Sequence, residues 1–115
     1  MEKILSKVKS LQGVLGVYLV DAEGTLLYAN SSLDNSPIEL SYLLASLKGY
    51  LSQMLEVTKM GKFVDTFIDG TVGRIIFSSL KNGDILVVFA SNVSNLGLIK
   101  YEMANAIEQL GKLSQ

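Results

Sequence analysis

Two segments of the sequence are apolar at nearly every position, and they constrain the fold more than any other feature. They are Val14–Val20 and Ile85–Ala90. A strand with one face in water alternates apolar and polar residues, and these two segments do not alternate. Each therefore indicates a central strand that is covered on both faces. Both runs are far shorter than the roughly 20 apolar residues of a membrane span, so we expect no membrane span.

Periodicity and turn residues predict the other elements. Ser36 before Pro37 is typical of a helix start, and Asn82-Gly83 is typical of a hairpin turn. In chain order we predict a helix ended by Gly13, strands at Val14–Val20 and Thr25–Ala29, a helix from Pro37 to about Lys59, strands at Phe63–Ile68, Gly73–Ser78 and Ile85–Ala90, and a helix capped by Asn95. The 115 residues thus predict one α/β (α+β) domain, residues 1–115, with a five-stranded, largely antiparallel sheet and helices on both faces.

The composition excludes several kinds of active site. Cysteine and histidine are absent, which removes thiol nucleophiles, imidazole bases and the usual zinc ligands. The glycines match no phosphate-binding loop. Asp65 and Asp69 lie roughly 13 Å apart along a strand, too far for a shared site. Arg74, the only arginine, lies within a predicted strand, where a solvated side chain is more typical than an arginine finger. We expect no catalytic residue, no cofactor and no enzyme activity.

The charges are balanced and dispersed. Ten basic and eleven acidic residues give a net charge of −1, without the basic patch that nucleic-acid binding requires. The first residues interleave charged and apolar side chains, unlike a secretory signal. We therefore expect a cytoplasmic protein that binds no nucleic acid.

The long central helix has two distinct uncharged sides. An apolar stripe predicts the core face, and it comprises Leu40, Leu43, Leu44, Leu47, Tyr50, Leu51, Met54 and Leu55. The other side is a strip roughly 80° wide, here called the seam, and it comprises Tyr42, Ser46, Gly49, Gln53, Val57 and Met60. A solvated helix face normally carries charges, so the seam predicts a contact with another helix. A weakly polar exposed face is the alternative.

The strand that follows this helix points to self-association. Phe63–Ile68 has the most mixed pattern of the last three strands, and Asp65 in its middle suits an edge strand. Pairing of this edge with its own copy would align the two seams. The predicted dimer interface comprises Phe63, Val64, Asp65, Thr66, Phe67, Gly49 and Gln53. The predicted partner-binding residues are the six of the seam, so Gly49 and Gln53 belong to both sets.

The segment Gly13–Leu26, which reads GVLGVYLVDAEGTL, resembles the opening hairpin of the roadblock family, named for a dynein light chain. The closing helix from Leu96 to Leu110 is similar to that of the bacterial and archaeal branch; most dynein-type members lack it. The resemblance extends from about Ile4 to Leu113. It implies the strand order 2-1-5-4-3 and a homodimer built by pairing of edge strands and central helices.

The resemblance also implies a function. Microbial members regulate small Ras-like GTPases, some as activators that donate no arginine finger. We therefore expect a homodimeric, non-enzymatic regulator or scaffold that binds a Ras-like GTPase through its paired central helices. The alternative is a passive scaffold subunit that pairs with another roadblock-like protein in a larger complex. A small-molecule sensor is a third reading, and it requires a roomy pocket between sheet and helix.

Overall fold

The sheet has the strand order that the resemblance implies. The computed structural model describes residues 1–113. Its helices are α1 Glu2–Lys9, α2 Pro37–Val57 and α3 Leu96–Leu113, and its strands are β1 Val14–Val20, β2 Leu26–Ser31, β3 Asp65–Asp69, β4 Gly73–Ser79 and β5 Ile85–Ser91. The order is β2-β1-β5-β4-β3, and every neighbouring pair is antiparallel. The predicted fold class is confirmed.

The two central strands, β1 and β5, are buried on both faces. Val17 lies opposite Val88 and Tyr18 lies opposite Val87, and all four side chains are shielded from water. One face of the sheet packs against α1 and α3, and the other packs against α2. The continuous apolar runs in the sequence are thus explained, because each central strand contributes side chains to two separate cores.

The predicted helix starts are confirmed by hydrogen bonds. The Ser36 hydroxyl accepts a hydrogen bond from the backbone N–H of Glu39 at 3.3 Å, and the Asn95 side chain accepts one from the N–H of Leu98 at 3.0 Å. Each bond satisfies one of the N–H groups that a helix start leaves without a partner. The end of α2 comes two residues earlier than expected, and the chain then takes a positive φ of 57° at Lys59.

Two strands start later than predicted, for local reasons. The Asp21 carboxylate accepts hydrogen bonds from the N–H groups of Glu23 and Thr25, both at 2.9 Å. Thr25 therefore belongs to the turn, and β2 begins one residue later. The other strand, β3, starts at Asp65 and not at Phe63. The Phe63 ring stacks on Phe77 with 5.4 Å between centroids, so it is a core side chain that precedes the strand.

Gly16 shows why a glycine interrupts the apolar run of β1. A Cβ atom at this position would lie 2.8 Å from the Ser31 hydroxyl oxygen of the neighbouring strand. A larger residue at this position would therefore require Ser31 to shift. Gly16 thus allows β1 and β2 to pack closely at this point.

Truncation of a buried side chain in the sheet should destabilise the domain far more than truncation of an exposed one. Leu86 is fully buried, whereas Val72 is 83% exposed. Leu86→Ala should lower the free energy of unfolding by about 2–5 kcal/mol because it leaves a cavity, and Val72→Ala should change it by less than about 0.5 kcal/mol. Urea titration measures both, and the slope against urea should be unchanged. Equal midpoints for the two variants would contradict the assigned core.

Candidate interaction surface

The helix α2 buries only part of the stripe predicted to be its core face. Leu44 is buried, and Leu40, Leu47 and Leu51 pack around the same cluster. Leu55 is half-buried. The prediction is wrong for three members of the stripe, which are exposed to water: Leu43 at 59%, Tyr50 at 67% and Met54 at 56%.

Two polar side chains on the opposite flank of the predicted core face are buried or half-buried instead. Ser41 is 1% exposed, and its hydroxyl donates to the Ile38 carbonyl oxygen at 2.7 Å. Lys48 is half-buried, and its ammonium donates to the Gly83 carbonyl oxygen at 2.8 Å. Because both polar groups are hydrogen-bonded, their burial carries little penalty. The helix is therefore rotated about its axis relative to the predicted orientation.

The seam lies on the outer surface of α2. All six of its residues are exposed: Tyr42, Ser46, Gly49, Gln53, Val57 and Met60. Five of them lie within the helix, whereas Met60 follows its end, where the Met60 N–H donates to the Leu55 carbonyl at 2.8 Å. Apart from its chain neighbours and the backbone of its own helix, no atom of the described chain would lie within 4 Å of a Cβ at Gly49. The seam is thus free to contact another molecule.

The exposed apolar surface is larger than the seam. Leu43, Tyr50 and Met54 lie beside the seam by helical projection, on the flank that the sequence analysis assigned to the core. We call the combined set of nine residues the α2 outer face. Large contiguous apolar surfaces on a folded domain mark interaction sites more often than single exposed side chains do.

The strand β3 is an edge strand, as predicted. Within the described chain it pairs with β4 alone, from Asp65 opposite Ser78 to Asp69 opposite Arg74. Its other edge carries backbone N–H and C=O groups without a neighbouring strand. Ile68 lies opposite Ile75, which packs in the core beneath α2, so Ile68 shares the sheet face of α2.

The residues of the predicted dimer interface do not all lie on this edge. Asp65, Thr66 and Phe67 belong to β3, whereas Phe63 and Val64 precede it. Phe63 is committed to the core through its contact with Phe77. Val64 is 70% exposed, although its carbonyl already accepts a hydrogen bond from Ser79 at 2.8 Å.

Both carboxylates of β3 are paired with cations of the same chain. Asp65 lies 3.9 Å from the ammonium of Lys100 on α3, and Asp69 accepts a hydrogen bond from Arg74 at 2.7 Å. Arg74 also donates to the Ser94 carbonyl at 3.4 Å, and its side chain is only 13% exposed. The expectation of a solvated Arg74 is therefore wrong. The same contacts make this arginine a poor candidate for reaching into another protein.

The space between α2 and the sheet is filled by side chains. Tyr18, Leu44 and Phe77 are buried there, and the Tyr18 and Phe89 rings meet edge to face at 5.4 Å. This packing disfavours the small-molecule sensor. Among residues 1–113, no group of three or more acidic side chains is arranged to hold a metal ion. Nor does any helix in that range have the length and apolarity to cross a membrane.

Comparison with known proteins identifies the family. The model of the Roadblock/LC7 domain matches residues 1–90. The chain belongs to the Roadblock/LC7 family. The match ends at the last residues of β5, so α3 of this roadblock domain lies beyond it. No curated protein matched the sequence.

Solved structures share the whole fold, including α3. MglB from Myxococcus xanthus has a TM-score of 0.89 and 22% identity, over 96% of this chain and 94% of that one. An MglB with a tetrameric arrangement has a TM-score of 0.88 and 18% identity, over 96% of this chain and 85% of that one. A Roadblock/LC7 domain from Streptomyces avermitilis has a TM-score of 0.88 and 14% identity, over 98% of this chain and 96% of that one. At these identities the likeness shows the fold alone.

The orientation of α2 can be tested with two adjacent leucines. Leu44 is 4% exposed and Leu43 is 59% exposed. Leu44→Ala should lower the free energy of unfolding by about 2–5 kcal/mol, and Leu43→Ala by less than about 1 kcal/mol. Urea unfolding at several protein concentrations measures both. A large loss for Leu43→Ala that did not depend on protein concentration would place Leu43 in the core of one chain and contradict the orientation.

Proposed function

We propose that this roadblock domain is a homodimeric, non-enzymatic regulator that binds a small Ras-like GTPase through paired α2 helices. The observation that carries the proposal is an uncharged, largely apolar helix face in water, together with the unpaired edge of β3, the strand that follows this helix in the chain. Either feature alone is common on protein surfaces. Together they supply two contacts that one symmetric association can cover.

Two-fold self-pairing of β3 accounts for both features. When an edge strand pairs with its own copy in antiparallel orientation, the two sheets join and equivalent faces lie on the same side. Both α2 helices would then lie on one face of the joined sheet. Ile68, which shares the face of α2, would be covered as well. A structural neighbour described as MglB with a tetrameric arrangement supports self-association in this fold.

The part of the α2 outer face that the dimer leaves exposed would bind the GTPase. Tyr42 and Met60 are the favoured contacts, because exposed aromatic and methionine side chains are enriched in protein interfaces. Family membership supports a GTPase as the partner, since the microbial roadblock proteins that this chain resembles regulate Ras-like GTPases. The ion-paired Arg74 supports regulation by binding, without an arginine finger.

Gly49→Glu tests the dimer. Gly49 is exposed, and a Cβ there would meet no atom within 4 Å outside its chain neighbours and the backbone of its own helix, so the fold should persist. At a close helix–helix contact the buried charge would be costly. We expect sedimentation velocity to show at least about a tenfold weaker self-association.

Gly97→Glu is the matched control, since it makes the same change at an exposed position of α3, across the sheet from α2. It should leave the dimer intact. Circular dichroism should show that both variants are folded. A parent protein that sediments as a monomer, or a Gly49→Glu variant that dimerises like the parent, would contradict the proposed interface.

The partner is tested by titration with a Ras-like GTPase from the same genome, loaded with GDP or with a non-hydrolysable GTP analogue. A regulator must bind the two states with different affinities, because a ligand that binds both equally shifts neither. Tyr42→Ala should weaken binding by about tenfold. Tyr101→Ala on α3 is the control, because Tyr101 has nearly the same exposure, 65% against 61%.

The outcomes separate regulation from scaffolding. Equal affinity for the two nucleotide states would remove the regulatory role. Recovery of another roadblock-like chain, with no GTPase bound, would favour the passive scaffold. Equal effects of the two tyrosine substitutions would show that α2 is not the binding surface.

A further inference from the structure

A second surface feature lies on the other flank of α2. It is an open groove of about 780 Å³ between the second half of α2, the segment that leads into β3, and the turn between β4 and β5. Lys48, Ser52 and Glu56 line it from the helix. These positions project away from Tyr50 and Met54, so the groove is distinct from most of the α2 outer face.

The groove concentrates positive charge in a chain that is slightly acidic overall. Three lysines line it, Lys48, Lys62 and Lys81, against the single carboxylate of Glu56. The net charge of the whole chain is −1. The ion pairs within residues 1–113 involve Lys7, Arg74, Lys100 and Lys112, and none involves a lysine of the groove. No carboxylate of the described chain thus lies within 4 Å of these three ammonium groups, and three lysines against one glutamate give the groove a local surplus of two positive charges.

The walls of the groove offer apolar contact as well as charge. Phe63, Val64 and Leu80 line it, and Val64 is 70% exposed. Gly61 and Gly83 also line it, and as glycines they add no side chain that would narrow the opening. An occupant must therefore be anionic and carry an apolar group that can lie against Val64.

The openness of the groove decides between classes of ligand. Small-molecule sites usually enclose most of the ligand surface, whereas Gly61, Lys62, Val64 and Lys81 of this groove are exposed. A phosphate site would favour converging donors such as an arginine fork, and the only arginine is engaged elsewhere by Asp69. Separated lysines beside an apolar wall suit carboxylates that are spaced along a chain.

We propose that this groove binds an acidic peptide segment of a partner protein. The carboxylates of the peptide would pair with the ammonium groups of Lys62 and Lys81, and an apolar side chain of the peptide would pack against Val64. Lys48 has a supporting role, because its ammonium already donates to the Gly83 carbonyl at 2.8 Å and holds the turn between β4 and β5 against α2. The site does not depend on the GTPase, but it adjoins the two-fold contact proposed above, because Val64 lies directly before β3.

The test uses the whole chain and a fluorescein-labelled synthetic peptide of glutamate and leucine residues, followed by fluorescence anisotropy. The double variant Lys62→Gln and Lys81→Gln should bind about tenfold more weakly, since each exposed charge pair contributes modestly. Glu56→Gln should bind about twofold more tightly, because it removes the one repelling carboxylate. Added salt should weaken binding by the parent chain.

Two controls make the test specific. Lys3→Gln with Lys9→Gln removes the same charge from α1, across the sheet from α2, and should change affinity by less than about twofold. A peptide with glutamine in place of glutamate should not bind. Equal loss in the two lysine pairs, equal binding of the glutamine peptide, or displacement of the acidic peptide by an equal concentration of inorganic pyrophosphate would each overturn the proposal. Sedimentation of each variant shows whether the dimer is retained, so failure of the groove and failure of the dimer remain distinguishable.

Discussion

The burial of β1 and β5 on both faces is the constraint on which the rest of the structure depends. The side chains of Val17 and Val88 are buried on one face of the sheet, and those of Tyr18 and Val87 are buried on the other. Helices must therefore cover both faces. With α1 and α3 on one side, α2 alone covers the other side, and a single helix shields only part of a five-stranded sheet. Because no further layer of residues 1–113 covers α2, its outer face lies in water, and β3 has an open edge because it is the last strand in the sheet order.

Most of the fold could be predicted from the sequence, because its signals are local or periodic. Apolar runs revealed the central strands, and Ser36 and Asn95 revealed the helix starts. The orientation of α2 could not be predicted in the same way. Leucines surround much of this helix, so its apolar pattern does not select one face. Burial of Ser41 depends on a hydrogen bond to the Ile38 carbonyl, and burial of Lys48 depends on one to the Gly83 carbonyl. Gly83 lies far from Lys48 in the chain, so the sequence gives no sign of this contact.

The candidate surfaces were predictable to different degrees. The exposed seam and the β3 edge follow from missing charges and from a mixed strand pattern, which are visible in the sequence. Leu43, Tyr50 and Met54 were missed because the rotation of α2 was missed. The lysine groove had no sequence signal at all, since Lys48, Lys62 and Lys81 come from three separate segments that only the folded chain brings together. Its charge surplus is likewise hidden within a nearly neutral composition.

The emptiness around Gly49 has an evolutionary consequence. A Cβ at that position would meet no atom within 4 Å outside its chain neighbours and the backbone of its own helix, so packing within one chain does not constrain the side chain there, whereas the proposed intermolecular contacts do. Leu44, five residues earlier on the same helix, is buried, and packing within one chain does constrain it. A single helix thus separates residues that preserve the domain from residues that can diversify, and duplicated copies of such a gene could acquire new binding specificities without losing the ability to fold.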